Sequence, residues 1–338
     1  MAYTTIDDPA QYFNTVLYAG NDTAIGSGGQ TITGVGFQPD WVWVKRRNVD
    51  TAHHAIYDSV RGATKQLSSS QTNGESTQSE GLTAFGSDGF TVGNLGRVNE
   101  AGGRNYASWN WKKDATAGFD IVSFTGNSSD GTTTQDISHS LSAVPHWIIV
   151  KNRADSTNWA VYHKGNTSAP ETEVIYLNAS NATSDDSAFF GDTAPTSSQF
   201  RVGGDNGVNG NSDAMIAYVW SEKKGFSKFG KYSANNNADG PFVYLGFRPA
   251  WLMLKVVDGN TGGWDLYDNK RGAFNSQISM LQANANSAQA TSDAVDFLSN
   301  GFKIRNTSGN QNGSGDTIIY MAFAESPFVN SKGIPTNA

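Results

Sequence analysis

Pro39-Asp40-Trp41-Val42-Trp43-Val44-Lys45, Pro145-His146-Trp147-Ile148-Ile149-Val150-Lys151 and Pro249-Ala250-Trp251-Leu252-Met253-Leu254-Lys255 share one pattern: proline, any residue, tryptophan, three apolar residues, lysine. Their tryptophans stand 106 and then 104 residues apart. A second landmark follows each string: His54-Ala55-Ile56-Tyr57-Asp58, Trp159-Ala160-Val161-Tyr162-His163 and Trp264-Asp265-Leu266-Tyr267-Asp268, with tyrosines 105 residues apart both times. Self-similarity at a fixed period reports a repeated structural unit before any single residue reports chemistry. The reading is a tandem array, not one large enzyme domain.

Working outward from these strings, each unit opens on an apolar strand ending in polar residues and closes on Tyr106–Trp111, Ile216–Trp220 or Ile319–Phe323. The units run 12–116, 117–224 and 225–328, between an N-terminal arm at 1–11 and a tail at 329–338. Each is large enough to bury a core of its own. The joints are short, which points to a semi-rigid rod or a compact triangle.

Within each Trp string both faces are apolar. Trp41 and Trp43 point one way and Val42 and Val44 the other, as expected for a strand in mid-sheet, covered on both sides. The stretch Tyr57 to Val60 alternates more and is expected to turn one face to solvent. Gly, Asn, Asp and Ser clusters separate short apolar runs throughout, and the chain holds 37 Gly and only 9 Pro. That pattern predicts an all-β chain: three tandem antiparallel β-sandwich repeats, each of two facing sheets. The stretch Gln277 to Asp296 reads as strand followed by loop.

Composition narrows the partners. A formal net charge of −7 argues against nucleic acid, since phosphate binding rests on clustered Lys and Arg. There is no cysteine, hence no disulfide, thiol nucleophile or thiolate metal site. No apolar run approaches a membrane span and the N-terminus lacks a signal peptide, so the expectation is synthesis in a cytoplasm with no membrane insertion.

The search for chemistry comes back thin. None of the five histidines recurs in all three units, and no Gly-x-Ser-x-Gly elbow is present. Asp58 and Asp268 recur in two units but His163 stands in the middle one, which reads as a tolerant surface position; Glu222 and Glu325 recur in two as well. Asn127–Gly131 and Asn235–Gly240 carry oxygen ligands but not calcium-loop spacing, and read as turns. Catalytic residues, cofactors and metals are therefore expected to be none. Trp43, Trp109 and Trp159 are not matched by tryptophan in every unit. They are the candidates for stacking on a glycan.

From Gly225 through Trp251, and again at Trp264–Gly272, Asp296–Ile304 and Tyr320–Phe328, the chain resembles a module of structural proteins of tailed bacteriophages. Met1–Phe13 is similar to the start of such proteins. The resemblance covers essentially the whole chain. It implies a concanavalin-like or jelly-roll sandwich, a place in the virion, and no transferable catalytic residue. The expectation is a non-enzymatic virion protein, either a tail fibre or appendage or a capsid-surface decoration component. Its partners would be other virion proteins and copies of itself. With little outside the units to serve as an anchor, the decoration role is the easier fit. The alternative is a lectin-like host-adsorption protein that binds a surface glycan.

Overall fold

The structure, a computed structural model, describes residues 3–49, 51–258, 260–272 and 274–336. The first two residues of the expected arm and the last two of the expected tail lie outside the described residues. The chain is all-β, with three single-turn α-helices and three 3₁₀ turns among the described residues, and its sheets are antiparallel. In residues 12–116 the strands are β1 (Phe13–Ala19), β2 (Gln30–Thr33), β3 (Trp41–Arg46), β4 (Ala55–Asp58), β5 (Lys65–Gln66), β6 (Ser76–Thr77), β7 (Leu82–Gly86), β8 (Gly89–Val92) and β9 (Asn105–Trp111). In residues 117–224 they are β10 (Phe119–Thr125), β11 (Gln135–Ser138), β12 (Trp147–Asn152), β13 (Ala160–His163), β14 (Glu173–Tyr176), β15 (Ser184–Asp185), β16 (Gln199–Val202) and β17 (Ala214–Trp220). In residues 225–328 they are β18 (Ser227–Ser233), β19 (Phe242–Tyr244), β20 (Phe247–Val256), β21 (Asp265–Asp268), β22 (Gln277–Gln282), β23 (Ala290–Leu298), β24 (Gly301–Ile304) and β25 (Thr317–Pro327).

One strand order appears in each of these three segments. It is β1-β9-β3-β4 in the first, β10-β17-β12-β13 in the second and β18-β25-β20-β21 in the third. The register agrees too: Trp41 faces Trp111 and Asp58, Trp147 faces Trp220 and His163, and Trp251 faces Phe323 and Asp268. Smaller strands accompany each main sheet, with Ile32 opposite Phe90, Ile137 opposite Phe200 and Val243 opposite Phe302. They form a separate three-stranded sheet β2-β8-β7 in the first segment and a separate pair β11-β16 in the second. In the third, β24 and β19 continue the main sheet through β22 and β23 into one of eight strands, where two sheets were expected.

Strand periodicity explains the Trp strings. On the outward face Val42 and Val44 enter one local core, Ile148 and Val150 a second, and Leu252 and Leu254 a third. Each local core draws on one segment alone. On the inward face Trp41 and Trp43 meet Trp147 and Ile149 and also Trp251 and Met253 in a single common core. Rings from different segments touch there: Trp41 and Trp220 lie 5.2 Å apart between centroids, and Trp111 and Trp251 5.5 Å apart, edge to face. A contact between the first and third segments is absent from a rod and required in a triangle.

Two local expectations change. β4 is buried along its whole length, because Ile56 enters the common core while Ala55 and Tyr57 enter the local one; exposure begins only at the turn residue Val60. The stretch after Gln277 is a strand, a turn and a second strand, β23, where a loop was expected.

Truncating Trp251, which is fully buried in the common core, to Ala is expected to cost on the order of 3–5 kcal/mol. Replacing Asp239, an exposed turn residue whose carboxylate pairs with Lys303 and Arg305 at the surface, should leave the urea midpoint nearly unmoved. Equal shifts for the two in a urea titration would contradict the placement of the core.

Candidate functional site

The lysine that ends each Trp string shares the inward face with the tryptophans, and all three lysines are fully buried. A buried ammonium must be hydrogen-bonded to be tolerated. Each donates to a carbonyl of its own segment, at Arg46, Thr157 and Val256, and to one across a joint. Lys45 Nζ reaches the Asn286 carbonyl at 3.4 Å, Lys151 Nζ the Thr72 carbonyl at 2.9 Å, and Lys255 Nζ the Ser180 carbonyl at 3.3 Å. Burial pushes Lys151 and Lys255 down to about 8.

Three more sets of contacts join the same three pairs of segments, first with third, second with first and third with second. The second landmark opens on one: His54 Nε2 bonds the Gln282 carbonyl at 3.0 Å, and Trp159 and Trp264 Nε1 donate to the Ser68 and Tyr176 carbonyls, each at 2.9 Å. A backbone bond is the next, from Glu75 N–H to Arg153 O, Thr183 N–H to Val257 O, and Gln289 N–H to Arg47 O, at 2.7, 3.0 and 2.6 Å. The landmark's last residue supplies the remaining one. Asp58 accepts from the Tyr218 hydroxyl at 2.7 Å and Asp268 from Trp109 Nε1 at 2.9 Å, while His163 Nε2 bonds the Tyr320 carbonyl at 3.1 Å.

The last set explains why an acid is missing from the middle segment. By strand register, Trp109 and Tyr218 correspond to Met321, which has no donor. A buried carboxylate facing Met321 would lack the side-chain donor that Tyr218 and Trp109 supply across the other joints; a neutral imidazole can instead donate to the backbone. Asp58 and Asp268 are also paired with Arg61 and Arg271 three residues on, where the middle segment has Asn166. The position is fully buried in all three segments, so it is not a tolerant surface site.

The proposed glycan platform is overturned. Trp43, Trp109 and Trp159 are fully buried, with Nε1 groups donating to His54, Asp268 and the Ser68 and Gln71 carbonyls. No sugar can reach them. All nine tryptophans are interior, because the inward faces of three main sheets meet.

The remaining candidates do not assemble a catalytic group. Asp58 and Asp268 are locked in buried ion pairs, Glu222 pairs with Lys164, and Glu325 pairs with Arg248 at the surface. His53 Nδ1 lies 2.9 Å from the Ser70 hydroxyl, but among the described residues no carboxylate holds its other nitrogen. Burial, then Arg97 and Lys45, lower its pKa, and those cations would oppose the imidazolium a general base must become. Asp130 spends its oxygens on Thr132 and Thr133 within its own turn, and Asn235 and Asn237 do the same in theirs. Among the described residues no cluster of three His, Asp or Glu could hold a metal.

Two surface cavities stand out. A cleft of about 560 Å³ lined by Gln66, Ser68, Gln71, Asn73, Glu75 and Arg97 sits over the joint between the first and second segments. Glu75 is already engaged there by Arg61 and Arg153. A second cavity of about 530 Å³ is lined by Tyr3, Tyr244, Leu245, Lys224, Lys228 and Glu222. Its Tyr3 hydroxyl donates to the Gly246 carbonyl at 3.0 Å and lies 3.1 Å from the Tyr244 hydroxyl. Lys224 stands 4.4 Å above the Tyr3 ring and Lys228 5.5 Å from the Tyr244 ring. Neither tyrosine is a candidate on sequence grounds. The available signal is an aromatic at Tyr244, where the matching outward strand positions carry Thr33 and Ser138.

The fold and its polar girdle define an all-β protein whose recurring polar side chains are spent inside the molecule. Residues 8–327 match the family described as a domain of unknown function (DUF7483), and the chain belongs to that family. No curated protein matches it.

The girdle makes a pH-dependent prediction. His163 accepts from Gly165 N–H at Nδ1, so its Nε2 carries the proton that bonds Tyr320, and the ring is held neutral; burial pushes its pKa down to about 3. The folded pKa lies below the unfolded value, so the contribution is present above about pH 6.5 and lost as pH falls toward 3. Asp265, pushed up to about 6 by burial, works the other way between pH 4 and 6. Comparison with His163→Gln isolates the histidine. Between pH 7 and 4 the native chain should lose more stability than the variant, by on the order of 3 kcal/mol, in urea midpoints at the two pH values. An equal loss would show that His163 is not the neutral bridge.

The same position can be exchanged. His163→Asp alone should cost about 3–5 kcal/mol, as an unpaired buried charge does. The triple change His163→Asp, Asn166→Arg, Met321→Tyr rebuilds the pairing of the other joints and should recover most of that loss. No recovery in a urea titration would contradict the correspondence of the joints.

Proposed function

We propose that the chain is three copies of one antiparallel β-sandwich unit, of concanavalin-like or jelly-roll type, closed head to tail into a ring. Its function on this reading is that of a non-enzymatic structural component of a phage particle, a capsid-surface or tail-appendage protein assembled in symmetric copies. One observation carries the reading. The lysine, the His/Trp position and the Asp/His position that recur across the segments all bond across the joints. Residues used in this way hold an architecture together and are not free to turn over a substrate. The likeness of the repeated strings to phage structural modules supports the setting, and three near-equivalent faces suit a position of threefold symmetry in an assembly.

Glycan binding is the second reading. It is favoured by the open cavity at Tyr3 and Tyr244, not by the tryptophans.

Purified particles of the parent phage should contain the protein in multiple copies, by quantitative mass spectrometry and antibody labelling. The isolated protein should release no oligosaccharide from any polysaccharide tested. Absence from particles, or hydrolysis abolished by Glu325→Gln, would overturn the proposal.

A further inference from the structure

The three segments allow a comparison within one molecule. At the two outward positions of the short outer strand, the first segment carries Thr31 and Thr33, the second Asp136 and Ser138, and the third Phe242 and Tyr244; all six are exposed. The inward residue between them stays aliphatic and buried in every case: Ile32, Ile137 and Val243. The scaffold therefore tolerates small polar residues at the outward positions and has no packing need for aromatics there. The third segment nevertheless exposes Phe242 at 47% and Tyr244 at 49%. Exposed aromatic surface that the fold does not require marks a binding face.

Residues two apart on a strand project from the same side, about 6.6 Å from each other. Phe242 and Tyr244 thus form a short stripe, and the Tyr3 hydroxyl, 3.1 Å from that of Tyr244, extends it into the cavity of about 530 Å³. The cavity joins three parts of the chain: Tyr3, the end of the second segment at Glu222 and Lys224, and the opening of the third at Lys228 and Tyr244. Aromatic faces beside hydroxyl and carboxylate groups provide stacking for a flat, polar ring and bonds for its substituents.

Charge narrows the ligand further. The chain carries a net −7, yet this cavity presents two ammonium groups, Lys224 and Lys228, against one carboxylate, Glu222, which Lys164 already engages. Lys224 has no carboxylate partner among the described residues; its contact is the Tyr3 ring. Lys228 donates to the Tyr244 carbonyl at 2.6 Å. A positive pocket on an acidic protein selects for an anion, and the aromatic stripe selects for rings in series.

We propose that Phe242, Tyr244 and Tyr3, with Lys224 and Lys228, form a binding site for an acidic oligosaccharide. The sugar rings stack along the aromatic stripe, and a carboxylate sits between the two lysines. The site deepens the glycan-binding reading and does not depend on where the protein sits in a particle. Particle composition and sugar binding are measured separately, so failure of one is distinguishable from failure of the other.

The test is calorimetric titration of the full chain with a galacturonate oligosaccharide and with its neutral counterpart, a galactose oligosaccharide. The acidic sugar should bind at least about tenfold more tightly, and rising salt should weaken it. Tyr244→Thr, which installs the residue found at the matching position of the first segment, should weaken binding at least about tenfold with an unchanged urea midpoint. Lys224→Ala should do the same and remove the preference for the acidic sugar. Four outcomes overturn the proposal: no binding of galacturonate at millimolar concentration, equal affinity for the neutral sugar, binding unaffected by both variants, or tighter binding of a single-stranded oligonucleotide than of the sugar.

Discussion

No segment of this chain can cover the inward face of its own main sheet. The outer face of each is closed locally by its smaller strands, but the inner face ends in large aromatic rings that only the other two sheets can bury. Apolar burial is the dominant favourable term in folding, and here it is available in full only when all three segments meet. Folding of one segment is thereby coupled to folding of the others, even though each has an outer core of its own.

That coupling gives the buried polar groups their place. The lysines, histidines and aspartates of the girdle take partners in their own segment, and each adds at least one carbonyl or donor of a neighbour. Apolar contact alone is nonspecific and would permit the segments to slide. Directional bonds at fixed points set the registry between sheets, since each misplacement strands a buried charge or a buried donor. The tryptophans divide along the same line. Trp43, Trp109, Trp159 and Trp264 donate through Nε1, three of them across a joint. Trp41, Trp111, Trp147, Trp220 and Trp251 have no such acceptor among the described residues and pack as rings against rings. Their role is area and shape, and each leaves an indole N–H without a conventional partner in the interior.

Departures from the shared pattern are the informative positions in such a molecule. Some are explained by a partner: His163 stands where an aspartate would face Met321, and His54 stands where the other segments have tryptophan, yet bonds the corresponding carbonyl and also accepts from Trp43. Others lie at the surface, where the matching positions hold small polar residues. The exposed Phe242 and Tyr244 belong to this second kind: Tyr244 meets Tyr3 and Lys228 at the cavity and not in the core, and that setting is what gives the pair functional weight.

The amino-acid order by itself determined the period, the strand class and the succession of a tryptophan-rich strand by a later tyrosine strand. These are local matters of alternation and turn residues, readable over a few positions, and β3, β12 and β20 fall where the strings place them. Only the tertiary structure decided which apolar face meets which. Trp43, Trp109 and Trp159 look like spare aromatics in a one-dimensional comparison, since nothing local says that three sheets close on a common core. Asp58 looks dispensable when His163 replaces its counterpart, because the hydroxyl that Asp58 accepts from lies 160 residues away on Tyr218. Tyr3 and Tyr244 are 241 residues apart and become one cavity only when the start of the chain docks on the third segment. Contacts of that separation are set by packing and long-range closure, which no window of sequence contains.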